Sequence, residues 1–266
     1  MPLTTIHHGS LEYLTAGTIP VPHAFTTRYG GVSRGDQASL NLACCDSDPR
    51  ENVEQNIRIL AGALEFDPAK LVLTRQTHSD IVRPVTSADA LGLCHRDYPE
   101  CDGLVTAEAG VALLAFTADC TPVLLYDPVT GAVGAVHAGW RGTAKAIAAK
   151  AVEAMVRNYG SRPRDIRAAV GPNIAQCHFE TDDDVPQAML AAFGDQARDY
   201  IQRRGEKFHL DLKGLNALAL RRAGVEDITL GDECTYCQNG RFWSHRVTRG
   251  RRGSQGAVIV CRGGGQ

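Results

Sequence analysis

Short apolar runs that stop on a chemically reactive side chain constrain this chain more than any other feature. The stretch from Val111 to Tyr126 is broken by Asp119 and Pro122 and is too short to span a bilayer. It reads as two apolar strands, Ala112 to Phe116 and Pro122 to Tyr126, on either side of Cys120. A turn, Asp127-Pro128-Val129-Thr130-Gly131, then leads into a strand from Ala132 to His137. His78 ends the segment Arg75-Gln76-Thr77-His78, between strands expected at Leu71 to Leu73 and Ile81 to Val85. Strands deliver side chains to a pocket in this way. Two imidazoles and one thiolate suit a borderline-soft zinc ion, and three protein ligands leave a fourth position to water or substrate. Taken singly, His78, Cys120 and His137 are more simply read as buried core residues.

Helices alternate with these strands without a strict βαβ rhythm. Asp48-Pro49 opens a helix whose Val53, Ile57, Leu60 and Leu64 recur on one face. Thr143 to Asn158 is Ala-rich and stops at Gly160, which predicts one continuous helix. Further strands are expected at Ile166 to Val170 and Ala257 to Val260, and helices near Val185 to Phe193 and Leu212 to Arg222. This mixture predicts an α+β fold with mixed β-sheets. Neither repeats nor a linker divide residues 1–266, so a single domain is expected. The 266 residues are 44% hydrophobic, enough for a well-buried core. A net charge of −2 excludes a broad basic face for nucleic acid. No apolar segment follows Met1-Pro2-Leu3-Thr4-Thr5, which argues for a cytoplasmic location and no membrane partner. Nine cysteines, an odd number in a long chain, read as reduced thiols.

Longer motifs add a resemblance. They are His23-Ala24-Phe25-Thr26-Thr27-Arg28 with Gly30-Gly31, Ser39-Leu40-Asn41-Leu42, Gln76-Thr77-His78, and Cys101-Asp102-Gly103. Ala118-Asp119-Cys120-Thr121-Pro122 and Val136-His137-Ala138-Gly139-Trp140-Arg141-Gly142 follow, then Gly171-Pro172-Asn173-Ile174, Cys234-Thr235 and Ser244-His245-Arg246. In this order, over nearly the whole chain, they resemble the bacterial zinc-dependent purine nucleoside phosphorylases, also catalogued as laccase-domain, polyphenol oxidase or peptidoglycan-editing proteins. The resemblance implies a layered α/β sandwich and zinc on His78, Cys120 and His137. It also implies phosphorolysis of purine nucleosides with phosphate, with deamination of adenosine and phosphorolysis of methylthioadenosine. Oligomeric state is left open between monomer and small homo-oligomer. The chain departs from the family at Asn56-Ile57, where an arginine is common and Arg58 is the nearest substitute. Ser79 stands for a glycine and Val247 for an arginine.

Candidate roles follow for the polar neighbours. Arg28 beside the Gly30-Gly31 turn could bind phosphate or only stabilise the turn. Asp102 could touch substrate or orient a ligand imidazole. Asp119, Arg141 and Cys120 are the catalytic candidates, although each aspartate could equally be a turn residue. The His-x-Glu and Pro-Cys-x-x-Cys pattern of ordinary zinc deaminases is absent. A second reading makes Cys120 the nucleophile and His137 the base of a metal-free cysteine hydrolase. Copper-dependent phenol oxidation is a third; no His-x-His pair occurs among nine histidines, though copper could displace zinc from such donors. Cys234-Thr235-Tyr236-Cys237 is a lone Cys-x-x-Cys with Cys237 read as incidental. Cys177-His178 is read as structural or pocket-lining, with metal ligation as the alternative.

Overall fold

The computed structural model describes residues 2–95 and 97–264. Met1 and Gly265 lie outside the described residues. An antiparallel meander of β1 (Thr4–His8), β2 (Leu11–Thr15) and β3 (His23–Thr26) precedes α1 (Arg50–Leu64). Val53, Ile57, Leu60 and Leu64 are buried on α1, as their helical spacing predicts. The helix ends where Glu65 turns left-handed. Strands β4 (Leu71–Leu73) and β5 (Val82–Pro84) flank the His78 loop, and β6 (Gly103–Thr106) follows. The two halves of the broken apolar run are β7 (Ala112–Thr117) and β8 (Thr121–Tyr126), and β9 (Val133–Ala138) carries His137.

The helix expected over 143–158 divides into α2 (Trp140–Ala144) and α3 (Ile147–Tyr159). Between them Ala146 adopts a left-handed φ of 54°. The break lets two short helices serve two cores. Trp140 and Ala144 of α2 pack with Ile174 and Leu215, whereas Ile147, Ala151 and Met155 of α3 pack with Val136 and Val170. The chain continues through β10 (Arg167–Val170), β11 (Glu180–Thr181), α4 (Asp184–Phe193), β12 (Ile201–Arg204), β13 (Lys207–Leu210) and α5 (Leu212–Arg222). It closes with β14 (Asp227–Leu230), α6 (His245–Thr248) and β15 (Gln255–Val260).

Two six-stranded sheets run in the orders β1-β2-β3-β15-β7-β4 and β14-β10-β8-β9-β6-β5, and β11-β13-β12 form a small third sheet. Parallel pairs β4·β7, β5·β6 and β10·β14 interrupt antiparallel ladders, so both large sheets are mixed. Strands β7 and β15 stack on β8 and β9, with α3 and α5 packed against the second sheet. This is the expected layered α+β arrangement. Residues 118–120 carry the chain from one large sheet to the other, which puts Cys120 at the seam. Cys44 and Cys94 are joined in a disulfide, their Cα atoms 5.3 Å apart. That corrects the reading of all nine cysteines as thiols, because two loops far apart in sequence meet where the spacing of cysteines gave no sign of it. Among the described residues no helix is long and apolar enough to cross a membrane.

Candidate active site

Three elements bring His78, Cys120 and His137 together, their ligand atoms all within 4.8 Å of one another. His137 comes from the central strand β9 and is buried; Cys120 is half-buried at the turn before β8, and His78 stands exposed on the loop after β4. The two imidazoles meet edge-on with centroids 5.0 Å apart. Both turns are backbone-strained: His78 has φ of 57° and Asp119 of 85°. Gly139 is required beside them, since a Cβ there would lie 2.5 Å from His78 Nδ1 and 3.4 Å from Cys120 Sγ.

Asp102 organises this geometry from beneath. Its carboxylate accepts hydrogen bonds from the backbone N–H of Thr77 (3.1 Å), His78 (3.1 Å) and Ser79 (2.8 Å), and from the Ser79 hydroxyl (2.6 Å). Its Oδ1 also lies 2.8 Å from His137 Nδ1. Burial opposes ionisation of Asp102, but the bonds from His137 and Ser79 outweigh it and hold the pKa at about 2. A carboxylate at Nδ1 makes that nitrogen the donor and leaves Nε2 as the lone-pair nitrogen on the other side of the ring. For His137, burial pulls the pKa down, while the Cys120 thiolate and Asp102 raise it to about 9. Groups that draw a proton this strongly also favour a divalent cation. For His78, burial and the neighbouring His137 lower the pKa. Two neutralisable imidazoles, a thiolate and a carboxylate supporting one ring are a donor set that fits zinc.

A cavity of about 390 Å³ opens above these residues. Phe116, Ile174 and Phe179 form apolar walls, and Asp119, Arg246 and Arg252 add polar atoms. Asp119 accepts from the Thr235 hydroxyl (2.6 Å) and the Arg246 N–H (2.7 Å), so both its oxygens tie the Cys120 turn to a carboxy-terminal loop. Arg252 is half-buried, and its Nε is buried with no hydrogen-bond partner. Burial lowers its pKa, opposed by Asp119 and Cys120.

Three of the polar neighbours lie outside the cavity lining. Arg28 does not line the cavity: its guanidinium donates to the carbonyls of Ala38 and Asn239 and stacks 4.0 Å over Trp243. Asp102 does not line it either, its oxygens being committed to the His78 loop and His137. Arg141 is exposed and stacked on the Trp140 ring at 4.2 Å, outside the cavity lining though near enough for its charge to act on His78. Two of the three departures have a structural account. Asn56 pins the Val32 and Asn41 loops, Ile57 is core, and Arg58 pairs with Glu54 at the surface. Ser79 adds a hydroxyl to the Asp102 cluster. Sequence reasoning missed Arg252, which belongs to none of the motifs, and the aromatic walls, which periodicity assigns to strands and turns.

A family model described as "Multi-copper polyphenol oxidoreductase laccase" matches residues 22–262. The chain belongs to this family. A purine nucleoside phosphorylase of Deinococcus radiodurans is 42% identical over 249 residues, covering 94% of this chain and 92% of that relative. Purine nucleoside phosphorylase YlmD of Geobacillus stearothermophilus is 37% identical over 260 residues, 94% of each chain. Among family structures, YfiH of Bacillus licheniformis, named a hypothetical protein, superposes with a TM-score of 0.90 at 34% identity, covering 97% of this chain and 98% of that one.

Proposed function

We propose that this chain is a zinc-dependent purine nucleoside phosphorylase that also deaminates adenosine and phosphorolyses methylthioadenosine. The observation that carries the reading is the convergence of His78, Cys120 and His137 at a cavity, in a chain whose relatives are named purine nucleoside phosphorylases. His78, Cys120 and His137 would hold the zinc, which supplies a Lewis acid able to polarise an oxygen or make water nucleophilic near neutral pH. Asp102 fixes the tautomer of His137 and the backbone of the His78 loop. Phe116 and Phe179 offer apolar surface to a flat purine, and the cavity volume suits a small ligand. Arg252, with its partnerless Nε, and Arg246 replace Arg28 as the cations for phosphate.

The test is turnover of inosine and adenosine with and without phosphate, read by chromatography. Release of free base and a ribose phosphate should require phosphate, whereas ammonia from adenosine should not. Arg252→Ala should raise the KM for phosphate about tenfold or more, the loss of one charge-assisted contact. Arg28→Ala should leave that KM in place. No base release from any purine nucleoside by zinc-loaded protein would sink the reading.

A cysteine hydrolase remains the second reading, favoured by Cys120 lying beside His137, whose pKa it helps raise. It makes the opposite demand on metal: chelation would leave activity intact, and a covalent acyl enzyme would accumulate on Cys120. Copper-dependent phenol oxidation is tested by the same protein, since zinc has no redox couple and zinc-loaded, copper-free enzyme should leave phenols untouched.

A further inference from the structure

A second cluster of donors lies apart from the cavity floor. The loop after β10 brings Cys177 and His178, and the turn before α6 brings Cys234 and Cys237; the four ligand atoms lie within 4.8 Å of one another. Cys177 Sγ is 3.6 Å from Cys234 Sγ and 3.7 Å from Cys237 Sγ. His178 Nδ1 is 3.1 Å from Cys177 Sγ and 3.2 Å from Cys237 Sγ. Four zinc bonds of ordinary length place sulfurs at tetrahedral corners about 3.75 Å apart, and a sulfur and a nitrogen about 3.5 Å apart. The sulfur separations match that edge and are far too long for disulfides. The imidazole sits a few tenths of an ångström inside its corner, within reach of a small ring shift.

We propose that Cys177, His178, Cys234 and Cys237 form a structural zinc site. Three thiolates and one imidazole fill the tetrahedron, so no position is open for substrate. The backbone holds the donors in place beforehand. Thr235 N–H donates to Asn173 O at 2.9 Å, joining the two loops, and Gln238 N–H donates to Cys234 O at 3.0 Å, closing the turn that puts both Cys-x-x-Cys sulfurs on one side. Ala175 N–H donates to Cys234 Sγ at 3.4 Å, the kind of contact that supports a metal-bound thiolate. Tyr236 stacks on the His178 ring with centroids 4.1 Å apart and fixes its plane.

With this site Cys237 becomes a ligand rather than incidental, and Cys177-His178 takes the metal-binding alternative. It also has a consequence for the cavity. The clamped loops carry Ile174 and Phe179, two of its walls, and Thr235, which holds Asp119 beside Cys120. Zinc here therefore stiffens one wall of the active site without touching substrate.

The experiment counts zinc per folded chain by elemental analysis after gel filtration, in wild type, Cys177→Ser/Cys237→Ser and His137→Ala. The double serine variant should lose about one equivalent of zinc relative to wild type and release the other when the remaining site is chelated. His137→Ala reports on the other centre, so failure of the first zinc site and failure of this one are read separately. A double variant with wild-type zinc content would overturn the proposal. Should that variant not fold, iodoacetamide labelling of zinc-loaded wild type decides. Cys177 and Cys237 are both exposed, yet they should resist alkylation until a chelator is added. Rapid labelling of both before chelation would overturn the proposal.

Discussion

At the residue scale the chemistry turns on Asp102, whose value lies in what it fixes. Five hydrogen bonds converge on one buried carboxylate, four from the loop that bears His78 and one from His137. One side chain therefore sets the positions of both imidazoles. Asp102→Asn keeps the shape but replaces an acceptor with an amide donor facing His137 Nδ1, which favours the wrong tautomer for a metal ligand. Zinc affinity, read by competition with a chromophoric chelator, should fall about 10–100-fold, with the fold retained by circular dichroism. Unchanged affinity would remove Asp102 from the site. The sequence alone left this aspartate open between substrate contact and ligand support, because a Cys-Asp-Gly motif does not reveal burial. Arg28 was open in the same way, and the carbonyls of Ala38 and Asn239 that satisfy it lie 10 and 211 residues away. No local pattern records such partners.

At the scale of elements, the link between β9 and α2 shows what one missing methyl group permits. Gly139 has φ of −68°, a conformation any residue adopts, so its need for glycine is a matter of space alone. Gly139→Ala should cost little as a backbone change but should push the His78 ring off Cys120. The expected outcome is a protein with the unfolding midpoint of zinc-free wild type and a loss of zinc and turnover of at least tenfold, measured on the same preparation. A variant that retains both would show that the ring moves aside freely. The strands around this link were legible because apolar runs bounded by turn residues are local signals: β4, β7, β8, β10 and β15 lie within two residues of expectation at each end. The single helix predicted over 143–158 was not legible as two. Alanine favours helix at every position, and the left-handed turn at Ala146 that redirects the chain from α2 into α3 leaves no trace in propensity. The small third sheet escaped for a related reason, since β11 and β12 are short and mostly exposed and carry little alternation.

For the whole molecule, the decisive fact is that the three proposed ligands come from both large sheets. His78 follows β4 of the first sheet, His137 belongs to β9 of the second, and Cys120 lies on the crossing between β7 and β8. A cation shared by them joins the sandwich at one end, and the unfolded chain offers no such preformed site. Binding energy should therefore appear as global stability. At a free zinc concentration a thousand times the dissociation constant, one site that exists only in the folded protein adds about 4 kcal/mol. Calorimetry should show the unfolding temperature falling on chelation and returning when zinc is added. Since the Cys177 cluster would contribute its own share, the Cys177→Ser/Cys237→Ser variant isolates the seam: its remaining zinc-dependent shift should disappear when His137→Ala is added. Turnover and stability should then titrate together with zinc in the double serine variant. A cysteine hydrolase predicts otherwise, with Cys120 alkylated rapidly in untreated protein and with neither unfolding temperature nor activity responding to chelator. Iodoacetamide reactivity of Cys120, slow with zinc and fast without it, is the measurement on which the two chemistries part.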